Sequence, residues 1–413
     1  MHTIKRASAI LLAFFITAAA LITPAASAET TASVSIGTGV QKTPTAQIEA
    51  AWDNAWFAEP ATDYQHSLAM TAMALSGAAY GEKTRMGDAL EKLGFEHVQS
   101  YHYDAAAESG ADTAAYTFAV RRIDARKGGD IWLTAVVIRG THEILEWAGN
   151  LDLGTGIVHE GFARARDDLT KNLNRYLSAL HISSTAESGT KFLVTGHSRG
   201  GAVANLTAAY LMDSMKVPRE DVYAYTFAAP AVSVRAAEAG YENIFNITNR
   251  EDLVTRIPLA KWGYARYGTD LTLPGRAGSG ERSQDIFRKM EQQYTALTGQ
   301  PYAVFQDQEA VENTLAAIGR LIPNATGADM SMLAALLSGD LEELSALADQ
   351  NSLTALLLGG KALALSSELA PLLKQEREAV VSAHCMAGYY SWLSACGTTG
   401  EAEAMFAAAG AER

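Results

Sequence analysis

The chain has 413 residues and sets 33 Lys and Arg against 46 Asp and Glu, a formal net charge of −13. So acidic a protein is a poor match for nucleic acid or for an anionic membrane through charge alone, and any contact with lipid has to rest on apolar surface. Two cysteines exclude a disulfide scaffold and an all-cysteine structural zinc site. The length exceeds what one hydrophobic core usually organises, so a large domain with a subdomain is expected.

The chain opens as an address. Lys5 and Arg6 precede an apolar run over 7–22, followed by Pro24 and the small triplet Ala26-Ser27-Ala28. That layout predicts a secretory signal over 1–28, cleaved after Ala28, and a secreted product. Cleavage removes two cations and no acid, which leaves −15. The apolar stretch 353–373 is broken by Gly359, Gly360, Lys361, Glu368 and Pro371, so no stable transmembrane anchor is expected. Residues 29–62, rich in Thr, Ala, Ser and Gly, read as a mobile leader.

Helical patterns follow over 63–80 and 85–93, the second stopped by Gly94. Strands and helices then alternate: strand 115–123, strand 131–138 (IWLTAVVI), helix 161–180, strand 191–195 (KFLVT), helix 200–212, and strands 222–227 and 243–248. Continuous β-branched and apolar runs are how strands buried on both faces read. The alternation predicts an α/β fold, a mostly parallel central sheet with flanking helices. Beyond residue 275 the pattern turns to Ala- and Leu-rich helical periods over 310–321, 330–347 and 352–373.

The strongest local signal is Gly196-His197-Ser198-Arg199-Gly200, set between a buried strand and a helix of small residues. This is the context of a nucleophile elbow, in which the serine sits on a sharp turn and the glycines let strand and helix pack closely. A serine hydroxyl needs an imidazole to take its proton and a carboxylate to orient that imidazole. On such a scaffold the chain order is serine, acid, histidine. Of nine histidines only His384 follows Ser198, so His384 is expected as the base. For the acid, Asp252 stands just past the C-terminal end of the strand at 243–248, where the loops of an open sheet build sites. Glu251 and Asp270 are rivals, whereas Asp221 precedes its strand and would lie at the wrong end. The oxyanion of a tetrahedral intermediate needs backbone donors. The amide of Arg199 is one candidate, and Thr141, in the loop after 131–138, is the other. None of this chemistry calls for a metal or an organic cofactor.

Together these pieces resemble the class 3 lipase family, α/β-hydrolases that include the triacylglycerol lipases of filamentous fungi. The matching segments are Arg139-Gly140-Thr141 with Trp147, Val158-His159-Glu160-Gly161-Phe162, the residues from Val194 to Ala202, Thr226-Phe227-Ala228-Ala229-Pro230, Asp252-Leu253-Val254-Thr255-Arg256-Ile257-Pro258, and Gly263-Tyr264 leading to Tyr267-Gly268. They occur in the family's order. The resemblance implies an α/β-hydrolase fold and hydrolysis of lipid carboxylic esters through an acyl-serine. It also implies a lid after the oxyanion loop, over 142–153, with Ile144, Leu145 and Trp147 as its apolar edge. Three features depart from the family. Arg199 replaces an apolar residue and would put a cation at the mouth of the site. Ala228 stands where glycine is usual, and the acid and the histidine lie far apart in the chain.

The expected organisation is therefore a signal at 1–28, a leader at 29–62, a core at 63–282, a helical insert at 283–381, and a return to the core at 382–413 with His384. Asp252 and His384 must meet, so both ends of the insert belong at the catalytic face, and the insert is expected as a cap whose leucines line an acyl-chain pocket. A phospholipase or a hydrolase of soluble esters could use the same residues, and a non-catalytic lipid- or surface-binding protein could share the scaffold. Cys385 adjoins the expected base, and with Cys396 it is expected to form a disulfide in an exported protein.

Overall fold

The computed structural model describes residues 30–104, 113–126, 129–140, 160–184, 188–236, 240–306, 309–321 and 375–411. The expected signal, Thr141, the expected lid residues Ile144, Leu145 and Trp147, and the helical periods 330–347 and 352–373 lie outside them.

Seven strands form one sheet in chain order. They are β3 (Glu96–Tyr101), β4 (Tyr116–Arg126), β5 (Gly129–Ile138), β6 (Lys191–His197), β7 (Val222–Phe227), β8 (Ile244–Asn249) and β9 (Thr269–Leu273). β3, β4 and β5 pair antiparallel, and every pairing from β5 to β9 is parallel. The parallel strands carry the pattern that predicts them. In β5, Leu133, Ala135 and Val137 enter one core while Val136 and Ile138 enter the other. β7 and β8 are buried along their whole length. β3 and β9 sit at the two edges, where polar sequences such as EHVQSY leave residues exposed and carry no core signal.

Helices cover both faces. On one side lie α3 (Glu160–Ala179), through Phe162, Leu169 and Leu173, and α4 (Arg199–Asp213), through Ala202, Val203 and Leu206. On the other lie α1 (His66–Ala78) and α2 (Lys83–Lys92), with α5 (Glu281–Thr298), α8 (Met386–Ser394) and α9 (Thr399–Ala411). α1 is buried nearly all round, as a helix enclosed by core on every side must be, and its small residues Ala69, Ala72 and Ala74 allow the close approach. The remaining helices are α6 (Ala310–Leu321) and α7 (Arg377–His384). Among the described residues no helix is long and apolar enough to cross a membrane.

Two expectations are corrected here. Residues 29–62 are not a mobile leader: β1 (Thr30–Gly37) and β2 (Thr45–Trp52) form an antiparallel hairpin, with Thr30 opposite Trp52. The Thr-Ser-Ala composition hides an alternation. Val34 and Ile36 on β1, and Ile48, Ala50 and Trp52 on β2, all point into the core. Trp52 stacks on Phe57 at 5.4 Å and takes Phe95 edge-on at 4.8 Å. Nor does the chain leave the core at residue 283. Ile286, Met290 and Tyr294 of α5 join the same core as α1 and α8, so any excursion starts after α5.

Candidate active site

Ser198 stands between β6 and α4 with φ 57° and ψ −128°, a conformation that L-residues seldom adopt and that costs on the order of 1–3 kcal/mol. The turn is tight because backbone crowds it. A Cβ on Gly196 would lie 2.4 Å from the carbonyl oxygen of Gly200, and one on Gly200 would lie 2.4 Å from that of Ile138. Ser198 N–H donates to Phe227 O at 2.8 Å, which ties the turn to the end of β7. Arg199 opens α4, so its amide belongs to the first turn, which no intrahelical carbonyl accepts. The Arg199 side chain is buried.

The three residues expected to act together are brought together. His384 ends α7, with Nε2 3.0 Å from Ser198 Oγ and Nδ1 2.8 Å from Asp252 Oδ2. An ionised carboxylate can only accept, so Nδ1 carries the proton and Nε2 accepts from the serine hydroxyl. Asp252 follows β8 and is buried. Its Oδ1 accepts from Val254 N–H at 2.9 Å, and its Oδ2 also accepts from the Tyr389 hydroxyl at 2.8 Å. Tyr389 in turn accepts from Asn249 N–H at 2.9 Å, so β8 orients the tyrosine that holds the acid. Burial, then the Asp252 charge, push the Tyr389 phenol well above its usual pKa and keep it a donor.

The rival carboxylates are engaged elsewhere. Glu251 pairs with Arg276 at 2.5 Å, Asp270 pairs with Arg266 at 2.5 Å, and Asp221 pairs with Lys191 at 2.6 Å at the start of β6. Ala228 has φ 52°, in the left-handed region where a residue without a Cβ is easiest, which accounts physically for the glycine usual at that point.

Three neighbours of the site gave no signal as such in the sequence. Tyr80 ends the first helical stretch without a motif, Tyr389 lies in an apolar helix, and His197 reads only as the variable residue of the elbow. His197 is buried between Tyr80 and His384, and burial, then the neighbouring His384, push its pKa well below the usual histidine value.

The expected disulfide is corrected. Cys385 and Cys396 are both free and buried. Cys385 is the N-cap of α8, its sulfur accepting from Gly388 N–H at 3.4 Å, while Cys396 lies past the C-terminal end of that helix with its sulfur 3.8 Å from Met405 Sδ. Eleven residues that include a helix rising about 1.5 Å each hold the two Cα atoms far beyond the roughly 4.4–6.8 Å a disulfide tolerates. Burial raises both thiols to about 11. Both thiols are therefore expected to resist iodoacetamide in the native protein at neutral pH and to alkylate fully after unfolding without reductant. Mass spectrometry of the two samples checks this, and an unfolded chain that takes no label would show a bond.

Comparison with known proteins adds the following. Residues 135–262 match the family model Lipase (class 3). The secreted mono- and diacylglycerol lipase 1 of Fusarium solani is 31% identical over 157 residues, which are 34% of this chain and 44% of that protein, so the match spans less than half of the relative. Among solved structures, the Rhizomucor miehei lipase propeptide complex aligns over 50% of this chain and 67% of its own, at 23% identity and a TM-score of 0.39. A lipase from Rhizopus microsporus var. chinensis aligns over 49% of this chain and 72% of its own, at 21% identity and a TM-score of 0.35.

Proposed function

We propose that this chain, whose residues 135–262 match the class 3 lipase family model, is a secreted serine hydrolase that cleaves carboxylic esters of lipids. One observation carries this reading: a serine on a strained strand-to-helix turn lies within 3.0 Å of an imidazole whose other nitrogen lies 2.8 Å from a buried carboxylate. The relative from Fusarium solani, described as a mono- and diacylglycerol lipase, supports an acylglycerol as substrate.

In the proposed reaction, Ser198 Oγ attacks the ester carbonyl while its proton passes to His384 Nε2. Asp252, held by Val254 N–H and Tyr389, keeps His384 in the tautomer that can accept and stabilises the imidazolium that forms. The amide of Arg199, with Thr141 as its partner, binds the oxyanion. The tetrahedral intermediate collapses as His384 returns its proton to the departing alcohol, leaving an acyl-Ser198. Water, deprotonated by His384, then releases the carboxylic acid and restores the hydroxyl. These steps call on side chains and backbone amides alone.

The wider organisation belongs to the same proposal: an export signal over 1–28, a lid edged by Ile144, Leu145 and Trp147, and a helical cap between α6 and α7. A phospholipase or a hydrolase of soluble esters would share the chemistry and differ in the pocket. The test is labelling by a fluorophosphonate, followed by hydrolysis of an acylglycerol series of increasing chain length, run below and above solubility. The expected result is labelling of Ser198 and faster turnover of emulsified, longer-chain substrate. Failure to label would overturn the hydrolase in favour of a lipid-binding protein, and activity confined to soluble short esters would overturn the lipid substrate.

A further inference from the structure

We propose that His197 is a positioning residue for this reaction: it holds the base His384 in place by the backbone, and Tyr80 sets the tautomer in which it does so. The inference rests on the ester-hydrolase reading above.

The geometry is a closed circuit. His197 Nε2 lies 2.9 Å from the carbonyl oxygen of His384, and His197 Nδ1 lies 2.8 Å from the hydroxyl of Tyr80. A carbonyl only accepts, so Nε2 carries the proton; Nδ1 then offers a lone pair, and the Tyr80 hydroxyl donates to it. His384 is the last residue of α7, where the helix leaves carbonyls without an intrahelical donor. His197 supplies that donor. It is also the residue before Ser198. Nucleophile and base are thus joined twice: directly through Ser198 Oγ and His384 Nε2 at 3.0 Å, and again through the neighbouring imidazole and the backbone of the base.

Packing leaves the ring of His197 little room to turn. Tyr80 meets it at 5.7 Å and 70°, Tyr389 at 5.7 Å and 85°, and the ring of His384 lies 5.1 Å away. Tyr80 is fixed in its turn by the end of α1, its N–H donating to Gly77 O at 3.3 Å. Burial lowers the pKa of the ring, which favours the neutral form and the lone pair that Tyr80 needs. His197 touches no reacting atom. Its contribution is the placement of an imidazole at hydrogen-bond distance from the serine, a geometry whose loss by about 1 Å can cost on the order of 100-fold in rate.

The test uses the full-length protein with three variants, a fluorophosphonate probe and a short soluble ester. His197→Leu is expected to lower both the labelling rate of Ser198 and kcat by about 100-fold with KM unchanged. His197→Gln, which keeps an N–H for the His384 carbonyl, should recover most of that loss. Tyr80→Phe, which removes one hydroxyl, should keep the melting temperature and lower kcat by about tenfold. Nitrogen NMR of the wild-type protein supplies a readout independent of activity: His197 should hold its proton on Nε2. Wild-type rates in His197→Leu, equal impairment in the Leu and Gln variants, or a proton on Nδ1 would each overturn the proposal. If His197→Leu does not fold, Tyr80→Phe and the wild-type spectrum decide. A wild-type protein that resists the probe would instead sink the hydrolase reading, a result distinct from a labelled wild type matched by its variants.

Discussion

Ser198→Ala and His384→Ala are each expected to lower ester turnover by on the order of a million-fold, because on the proposed mechanism nucleophile and base act as a unit. Asp252→Asn should cost less, about ten-thousand-fold, since the amide preserves the shape but favours the wrong tautomer of His384. The double variant of Ser198 and His384 should be no worse than either single one, the sign that the residues share one step rather than contributing separately. Steady-state kinetics normalised to total protein checks all four proteins, and circular dichroism checks that they fold. Near-normal turnover in folded His384→Ala would remove the base from the mechanism and, since no other histidine follows Ser198 in the chain, the acid with it.

The second large effect falls on stability. Gly200→Val places a Cβ 2.4 Å from Ile138 O, 2.8 Å from Arg139 C and 2.9 Å from Gly140 N. All three are backbone atoms, so no side chain can swing aside, and β5 or α4 has to move bodily. Losses above about 4 kcal/mol arise from overlap of this kind, and an insoluble or denaturant-sensitive protein is the expected outcome. Gly400, near the start of α9, is the control: a Cβ there meets nothing within 4 Å. Gly400→Ala should hold or raise the denaturation midpoint, since alanine favours a helix by up to about 1 kcal/mol over glycine. A Gly200→Val protein as stable as the wild type would show that strand and helix are not packed as described.

What was legible in the sequence was local or forced. The elbow could be read because a turn that sharp demands small residues in a short window, and the glycines at 196 and 200 are the signature of that demand. That His384 would face the elbow could be read by elimination, and the placement of Asp252 beside it from its position after a strand. The parallel strands stood out because burial on both faces leaves no polar position in VYAYTF or IFNITN except those with a hydrogen-bonded role. Asn246, for instance, bonds Thr226, Asn205 and Tyr267 O. The misreadings share one cause: the deciding partner is distant in the chain. The Thr- and Ser-rich hairpin looks mobile until Trp52 is seen against Phe57 and Phe95. The cysteines look close in number until a helix is laid between them. Tyr80, His197 and Tyr389 acquire meaning only when residues 80, 197, 252 and 384 converge, and no periodicity records that.

The turn after β1 adds a consequence in the order of assembly. Ala387 N–H donates to Thr38 O at 3.0 Å, so the residues just after the base rest on a turn near the opposite end of the chain. Asp252 and His384 are 132 positions apart, and Ser198 and His384 are 186 apart. Contacts so distant in the chain close late, because the entropy of closing the loop has to be met before the contact returns anything. A growing or C-terminally shortened chain can therefore carry a formed elbow and a strained serine and still have no base to activate it. On the proposed mechanism, ester cleavage waits for the far end of the molecule to come home.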